Sequence, residues 1–419
     1  MSELRNLRKL FHQWGGATAL FFTYTHMSHD LCTGLLAAML PLIREGFSLG
    51  YLESGLLLAA YTVTSGLSQF LGGWLGDRLN KRTVIAIGLG GVGLAAIAVG
   101  LSPTYYLTLV ILVIMGIFAG AYHPSAVSTL SSSIEEARRG KAIALHMVGG
   151  SMGFTIGPIL GGVIAGVLGW RFAFIILSVL AFAAVILVLK KFGQLKDVMG
   201  DELGARAATA GGGQVKPMER RAGIGQVLRV VAAVITLAIL TQLIGGSVMA
   251  FTPIYLVDKH NVAPAYAAML MGIVRSGGLA GSLFGGWLSD KWGRRNAIFL
   301  ALMATGPIVY LLTRLPFNLA LVVVFILFGL VMSMRQSTVQ PYLMDSTPPQ
   351  LRATIFGIYF GLGMEGSSMM QPVVGHFMDV FGIINVFNFI ALAGLALSLV
   401  TLLLLRRPKV VPTAATGYR

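Results

Sequence analysis

A seven-residue segment is repeated in this chain. Residues 72–78 read Gly-Gly-Trp-Leu-Gly-Asp-Arg, and residues 285–291 read Gly-Gly-Trp-Leu-Ser-Asp-Lys. The two starting positions differ by an offset of 285 − 72 = 213, about half of the chain. Each copy ends a long apolar stretch and is followed by two further cations. The sequence therefore has to fold as two related halves, with the same elements in the same order in each.

Apolar residues dominate both halves. Hydrophobic residues make up 56% of the chain and charged residues only 11%, and the mean hydropathy is +0.79. This charge is too sparse to coat a soluble domain of this length. A helix needs about 20 predominantly apolar residues to cross a bilayer. Twelve such runs predict an all-α membrane protein with twelve transmembrane helices in two six-helix repeats. The predicted spans are Gly15–Ile43, Tyr51–Gly76, Val84–Leu101, Tyr106–Leu130, Ala142–Leu168, Phe172–Leu189, Val227–Leu256, Tyr266–Leu288, Ala297–Leu312, Phe317–Leu343, Ala353–Phe381 and Val386–Leu405.

Basic residues are distributed unevenly between the two sides of the membrane. If the N-terminus lies in the cytoplasm, 25 of the 31 lysines and arginines fall in cytoplasmic segments. This imbalance follows the positive-inside rule. The net charge of +15 therefore indicates contact with anionic membrane lipid and not a nucleic-acid partner. We predict a multi-pass protein of the bacterial inner (plasma) membrane, with both termini in the cytoplasm.

The predicted spans divide the chain into four segments. Residues 1–190 are expected to form an N-terminal six-helix bundle, and residues 227–405 a C-terminal one. Residues 191–226 carry charges of both signs and a low-complexity stretch, as a cytoplasmic linker does. Residues 406–419 are expected to form a cytoplasmic tail. Two repeats related by an axis along the membrane normal place a substrate path at their interface, near the middle of the bilayer.

Three sets of residues resemble a known family. Residues 73–82, Gly-Trp-Leu-Gly-Asp-Arg-Leu-Asn-Lys-Arg, and their second copy at 286–295 resemble the loop motif of the major facilitator superfamily. Residues 153–162, Gly-Phe-Thr-Ile-Gly-Pro-Ile-Leu-Gly-Gly, resemble the fifth-helix motif of its antiporters. The pairs His29-Asp30 and His123-Pro124 are similar to the fosmidomycin-resistance branch of its drug exporters. The resemblance implies a monomeric secondary transporter that works by alternating access, without a cofactor.

The two motifs predict roles for their residues. The acids of the loop motif can accept charge-assisted hydrogen bonds from nearby cations or from a helix N-terminus, as a latch would. The alternative is that the cations only anchor the topology. Glycines spaced along the fifth helix let neighbouring helices approach closely. The predicted latch residues are Gly73, Asp77, Arg78, Arg82, Gly286, Asp290, Arg294 and Arg295, and those of the fifth-helix motif are Gly153, Gly157, Pro158, Gly161 and Gly162.

Ionisable residues inside the spans are candidates for function, because placing a charge at mid-membrane costs roughly 2.5–3.5 kcal/mol on insertion scales. Those residues are His26, His29, Asp30, His123, His146, Arg275, Arg335 and Glu365. A carboxylate beside a histidine can take up and release a proton near neutral pH. We therefore predict proton coupling at Asp30, His29 and Glu365, with a purely structural hydrogen bond of Asp30 as the alternative.

The arginines of the second half suggest the substrate. A guanidinium facing a cavity suits phosphonate, phosphate or carboxylate groups, although an ion pair with Glu365 is the alternative. The predicted substrate-binding residues are His26, His123, Arg275, Arg335 and Gln336. No metal is expected, because the pair His26 and His29 with one nearby carboxylate offers too few ligands.

Three functions fit these features. The first is proton-coupled efflux of a small drug or metabolite, with anions among the candidate cargoes. The second is a proton-coupled symporter that imports a small organic acid. The third is a non-transporting membrane sensor or scaffold. The chain has no phosphate-binding loop that would indicate an ATP-driven pump, and we do not expect an enzyme.

Overall fold

Long helices form nearly all of the described structure. The computed structural model describes residues 13–209, 245–345 and 366–404. In chain order the helices are α1 (Gly16–Thr33), α2 (Leu35–Phe47), α3 (Tyr51–Arg78), α4 (Lys81–Leu101), α5 (Tyr105–Ser133), α6 (Glu136–Leu168), α7 (Trp170–Thr209), α8 (245–260), α9 (Pro264–Trp292), α10 (Arg294–Arg314), α11 (Leu319–Asp345), a 3-10 helix (Gly366–Met370), α12 (Gln371–Phe381) and α13 (Ile383–Leu404).

The helices follow the predicted spans, and the predicted fold class is confirmed. In the described ranges, seven helices are long and apolar enough to cross a membrane. Helices α1 and α2 together cover the first predicted span. Gly34 between them keeps helical torsions, and its N–H donates to the carbonyl of Asp30 at 2.8 Å. The seventh span is described from residue 245 and the eleventh from residue 366.

The segments expected outside the bundles are described only in part. Helix α7 continues beyond the sixth predicted span to Thr209, and the remaining residues of the expected linker, 210–226, lie outside the described ranges. The same holds for residues 1–12 and for the expected tail, 406–419. The division into four segments therefore stays a prediction.

The repeat seen in the sequence is also present in the helix packing. Gly116 on α5 faces α3, where a Cβ on it would lie 2.5 Å from the carbonyl oxygen of Tyr61. Gly329 on α11 faces α9 in the same way, against the carbonyl oxygen of Val274. Both pairs have the offset of the repeated segment (329 − 116 = 274 − 61 = 213). Glycine at these two positions lets the backbones touch, so each half packs the same helix pair.

The loop motif repeats a contact at the same offset. Lys81 Nζ donates to Ser128 Oγ at 2.6 Å, and Arg294 Nη1 donates to the carbonyl of Pro341. The partners again differ by the offset of the repeat (294 − 81 = 341 − 128 = 213). In both halves a cation at the start of one helix is tied to the same level of its neighbour.

The two halves meet along two glycine-lined seams. In the first, Gly162 of α6 packs against Ala265 of α9, where a Cβ on the glycine would lie 2.6 Å from the alanine carbonyl oxygen. In the second, Gly55 of α3 packs against Gln371 of α12, with a corresponding distance of 2.5 Å. Both seams lie toward the end of the bundle that is predicted to face outside.

Candidate functional site

A buried polar cluster lies in the first half. Helix α1 contributes His26, His29 and Asp30, whose exposed fractions are 4%, 0% and 4%. His26 and Asp30 are one helical turn apart, so their side chains share a face. Helix α5 contributes His123, and α6 contributes His146, which is fully buried. We call these five residues the histidine–aspartate cluster.

Asp30 is the centre of this cluster. His29 Nδ1 lies 2.7 Å from Asp30 Oδ1, and His26 Nε2 lies 3.1 Å from Oδ2. His123 Nε2 lies 3.9 Å from Oδ1, and its side chain is 31% exposed. The structure thus brings together four of the predicted site residues from two helices. One carboxylate is surrounded by three imidazoles, and one of those three has access to solvent.

The same geometry bears on metal binding. Single ligand atoms of His26, Asp30 and His123 all lie within 4.8 Å of one another. In the sequence, the imidazoles weighed as metal ligands were those of His26 and His29. In the structure, the imidazoles that could share a metal with Asp30 are those of His26 and His123. Three protein ligands are the number that an open zinc site uses. The expectation that no metal binds therefore stays a prediction.

Helix α6 supplies a fourth imidazole, for which the sequence predicted no role. The His146 ring stacks on the His26 ring, with centroids 4.2 Å apart. His26 Nδ1–H donates to the carbonyl of His146 at 2.8 Å, and His146 Nδ1–H donates to the carbonyl of Phe22 at 2.9 Å. These reciprocal hydrogen bonds clamp α1 to α6. The presence of an ionisable residue in a glycine-rich span was the only signal in the sequence.

Tyr122 is a second residue that the sequence did not single out. Its ring stacks on His29 with centroids 4.7 Å apart, and its hydroxyl lies 2.9 Å from Thr25 Oγ1. Tyr122 therefore holds the His29 ring flat against α5. Its position directly before His123 was a signal that pattern reasoning could have used.

The fifth-helix motif explains how α1 and α6 come so close. A Cβ on Gly153 would lie 2.5 Å from the Met27 carbonyl oxygen, and one on Gly157 would lie 2.7 Å from that of Leu31. Pro158, the next residue, is buried, and Gly161 faces the Leu35 side chain. Gly150, three positions before the motif, lies directly against the His26–Asp30 contact, since a Cβ there would be 2.6 Å from Asp30 Oδ2.

Arg275 of the second half lies across the interface from this cluster. Its guanidinium is stacked on the ring of Phe154 on α6, 4.7 Å from the centroid. In the described ranges Arg275 forms no salt bridge. Phe154 in turn packs against Gly34, where a Cβ would lie 2.7 Å from the ring. Arg275 therefore offers a cation at the boundary between the halves.

The remaining predicted site residues are placed as follows. Arg335 is 8% exposed and lies on α11, and Gln336, beside it, is half-buried. Glu365 lies outside the described residues. Its predicted part in proton coupling and its ion pair with either arginine stay predictions.

The loop motif makes contacts within each half. In the first copy, Arg78 stacks over Trp74 at 4.2 Å and Arg82 Nη2 donates to the carbonyl of Leu189 on α7. Gly73 lies near Pro124 of α5, 3.9 Å from a Cβ on the glycine, and the side chain of Asp77 is not described.

In the second copy, Asp290 is exposed and Arg295 has a polar or ring contact. A Cβ on Gly286 would meet no described atom within 4 Å. The hydrogen bonds of Arg82 and Arg294 tie α4 and α10 to neighbouring helices. A latch between moving parts stays a prediction.

A polar cluster at the predicted outer end joins the two halves. Arg44 Nη1 lies 2.6 Å from Asp258 Oδ2, and the Tyr51 hydroxyl donates to the same oxygen at 2.5 Å. The backbone N–H groups of Tyr51 and Leu52 donate to Asp379 Oδ1 and Oδ2, each at 2.9 Å. Asp379 thus binds the N-terminus of α3, where the helix dipole favours an anion. We call Arg44, Tyr51, Asp258 and Asp379 the outer cluster.

Sequence reasoning did not predict the outer cluster. The chain has only 16 acidic residues. The positions of Asp258 and Asp379 at the outer ends of predicted spans could therefore have marked them as candidates for ion pairs. Their partners are more than 200 positions away in sequence, so no local pattern indicates them.

Comparison with known proteins assigns this architecture to a family. A sequence model of the Major Facilitator Superfamily matches residues 22–372. The chain belongs to the Major Facilitator Superfamily. As a member of this superfamily it is a multi-pass membrane transporter and not an enzyme.

Individual relatives are more distant. The fosmidomycin resistance protein of Escherichia coli (strain K12) is 21% identical over 378 residues, which cover 87% of this chain and 90% of that protein. The probable sulfoacetate transporter SauU of Cupriavidus necator is 30% identical over 138 residues, covering 33% of this chain and 32% of that protein. Among solved structures, a bacterial homolog of the human lysosomal transporter Spinster has a TM-score of 0.72 at 15% identity and covers 92% of this chain and 94% of that chain. That structure is similar in fold.

Proposed function

We propose that this transporter exports a small anion from the cytoplasm in exchange for protons. The observation that carries the proposal is the pairing of a buried carboxylate in one half with a cation in the other. Asp30 is 4% exposed among histidines, and Arg275 stacks on Phe154, which packs against Gly34 one helical turn beyond Asp30. Each half thus supplies one charged group to a shared central site.

The proton is carried by the histidine–aspartate cluster. A buried carboxylate within a membrane span is costly unless it is paired or neutralised. Asp30 has both options, because it can keep its charge beside an imidazolium or take up a proton itself. The 31% exposed His123 side chain gives the cluster a route to the solvent in the central path. We therefore place proton coupling at Asp30 and its histidines, with His123 as the entry residue.

The anion is bound by Arg275. A guanidinium presents a planar fork of donors that fits carboxylate, phosphonate or sulfonate oxygens in a bidentate manner. Stacking on Phe154 orients the plane of the fork. The names of two relatives agree with such cargo, since fosmidomycin is a phosphonate and sulfoacetate a sulfonate. Arg335 and Gln336 on the same half are the further candidates for anion contacts.

Transport follows from rocking of the two halves. The seams at Gly162 and Gly55 and the outer cluster hold the outer end together. We propose that this arrangement is open toward the cytoplasm. Breaking the outer cluster would then let the halves separate outside and meet inside, which exposes the same central site to the other face.

One observation favours import as a second candidate function. Arg275 stacks on Phe154 beside Gly34, one helical turn beyond Asp30. An ionised Asp30 would attract this cation, so a proton on Asp30 would free Arg275 for an anion. Proton and anion would then bind together, which is the pattern of symport. In antiport the two must bind in alternation, so the direction of coupling distinguishes the functions.

Flux in proteoliposomes tests the proposal, with radiolabelled fosmidomycin and sulfoacetate as the two probes. Under antiport, the anion accumulates in the lumen when the lumen is the more acidic side, because protons leaving the lumen drive it in. Under symport, accumulation requires the outside to be more acidic. If neither gradient moves either probe, the proposed function is wrong.

Three variants assign the roles in this assay. Asp30→Asn is expected to abolish gradient-driven accumulation while anion exchange without a gradient continues. Arg275→Gln is expected to abolish both. His376→Gln changes an exposed histidine on α12 and serves as the matched control with native flux. Full coupling in Asp30→Asn would contradict the role given to Asp30.

A further inference from the structure

We infer that the transported proton is shared between His26 and Asp30, and that His29, although adjacent to Asp30, only positions the carboxylate. This inference deepens the proposed proton coupling and rests on it. It reverses the roles that the sequence suggested, in which His29 takes part in proton coupling and His26 contacts substrate. The hydrogen bonds of the two imidazoles distinguish them.

The tautomer of His26 is set by its backbone partner. His26 Nδ1 lies 2.8 Å from the His146 carbonyl oxygen. A carbonyl can only accept a hydrogen bond, so Nδ1 must carry a hydrogen. In the neutral ring the other nitrogen, Nε2, is then a bare acceptor. It lies 3.1 Å from Asp30 Oδ2.

Two bare acceptors cannot form this contact. If His26 is neutral and Asp30 is ionised, a lone pair on Nε2 faces a lone pair on Oδ2, which is repulsive. One proton on Nε2 turns the same geometry into a charge-assisted hydrogen bond from the His26 imidazolium to the Asp30 carboxylate. The 3.1 Å contact therefore describes the pair with its proton bound. Losing that proton changes the net charge of the pair from 0 to −1.

His29 has no comparable place for a second proton. Its Nδ1–H donates to Asp30 Oδ1 at 2.7 Å. Its Nε2 is buried and has no hydrogen-bond partner within the described parts of the chain. A proton added there would be a buried donor without an acceptor, which is unfavourable. His29 therefore acts as a fixed donor that orients the carboxylate.

The groups around the pair agree with this assignment. His146 on α6 is also held with Nδ1–H on a carbonyl, and its Nε2 has no partner in the described ranges. On α5, the Tyr122 hydroxyl is occupied by Thr25, and His123 is 3.9 Å from Asp30, beyond direct hydrogen bonding. Arg275 on α9 is stacked on Phe154, which packs against Gly34 one helical turn beyond Asp30. A guanidinium that approaches Asp30 would stabilise the ionised carboxylate and promote release of the shared proton.

Nuclear magnetic resonance of the purified full-length protein, labelled with ¹⁵N-histidine, tests the inference without any substrate. The ¹⁵N shifts report which ring nitrogens carry hydrogen, and His26→Gln, His29→Asn and His376→Gln assign the signals. We expect His26 to change from both nitrogens protonated to Nδ1–H alone as the pH rises. His29 is expected to remain a single Nδ1–H tautomer over the same range. A single unchanging tautomer of His26, or titration of His29 in its place, would overturn the inference.

Asp30→Asn supplies a second spectroscopic arm. An asparagine amide can donate to the bare Nε2 of His26, so we expect loss of the doubly protonated His26 signal at the pH where the native protein shows it. The His376 signal should not change. Persistence of doubly protonated His26 in folded Asp30→Asn protein would also count against the inference.

The pH profile of transport completes the test. Glutamine at position 26 places a permanent amide donor near Asp30, so we expect a flat pH profile for His26→Gln. Asparagine at position 29 keeps a donor at the place of Nδ1, so His29→Asn should retain the native profile at a reduced rate. The spectroscopic result stands even if no transported anion is found, so failure of the proposed function and failure of this inference are distinguishable.

Discussion

Gly150→Ala probes the contact between α1 and α6 at the point where the proton would be held. A Cβ on Gly150 would lie 2.6 Å from Asp30 Oδ2, 2.6 Å from His26 Cε1 and 2.7 Å from His26 Nε2. Ordinary van der Waals contact begins at 3.4 Å, so these side-chain atoms must move away from Gly150 by about 0.8 Å (3.4 − 2.6). Because the His26 ring is held to α6 by its hydrogen bond to the His146 carbonyl, this movement strains that bond.

The expected cost follows from two opposing terms. Overpacking a tight site costs about 1–3 kcal/mol, and replacing glycine by alanine within a helix returns about 0.5–1 kcal/mol. We expect a net loss of up to about 2.5 kcal/mol in the free energy of unfolding. The methyl group also displaces Nε2 from Oδ2, so gradient-driven transport should fall together with stability.

Gly166→Ala on the same helix is the matched control. A Cβ there would lie 3.5 Å from the Ala265 Cβ, an ordinary contact, so only the favourable helix term remains. Thermal unfolding of the two purified variants should therefore shift in opposite directions from the native midpoint. If Gly150→Ala is as stable as Gly166→Ala and stays coupled to protons, the close packing at Gly150 does not support the site.

Two further perturbations test the outer cluster and the anion site. Asp258→Asn removes the carboxylate that Arg44 and Tyr51 both contact. Because such partly exposed pairs contribute about 1 kcal/mol, we expect a roughly fivefold shift of the conformational equilibrium toward an outward-open state. Distances between spin labels at the exposed Val167 and Leu319 should lengthen in this variant, and an unchanged distribution would contradict the role of the outer cluster. Arg275→Lys keeps the charge but loses the forked donors, so calorimetry with a bound phosphonate should show affinity reduced about tenfold or more. Affinity equal to that of the native protein would argue against bidentate binding.

Much of the fold could be predicted because the bilayer restricts the possibilities. Hydrocarbon requires apolar runs of helical length, and the predicted spans agree with the described helices to within a few residues at most ends. The first predicted span is divided at Gly34 into α1 and α2, and this division was not predicted. Gly34 keeps helical torsions and hydrogen-bonds to the carbonyl of Asp30, so the path of the span is hardly changed there. Helix α7 continues past the sixth predicted span to Thr209, because a helix can leave the apolar layer and continue in water.

The candidate site was predictable in its members but not in their roles. The cost of charge in a membrane singled out Asp30 and its histidines without any coordinates. It could not show that the His146 ring donates to the carbonyl of Phe22, 124 positions away in sequence. Nor could it show that the His146 carbonyl accepts from His26, 120 positions away. The assignment of the shared proton depends on that one carbonyl.

The sequence by itself determined that this protein is a duplicated twelve-helix membrane protein with ionisable groups in its spans, because repeats, apolar runs and charge costs are properties of segments. Only the tertiary structure decided which segments touch. It placed Arg275 against Phe154, and it joined Arg44 to Asp258 across 214 positions. The physical reason is that helix periodicity orients side chains within one helix, whereas distances between helices depend on packing, here on glycines that let the backbones meet.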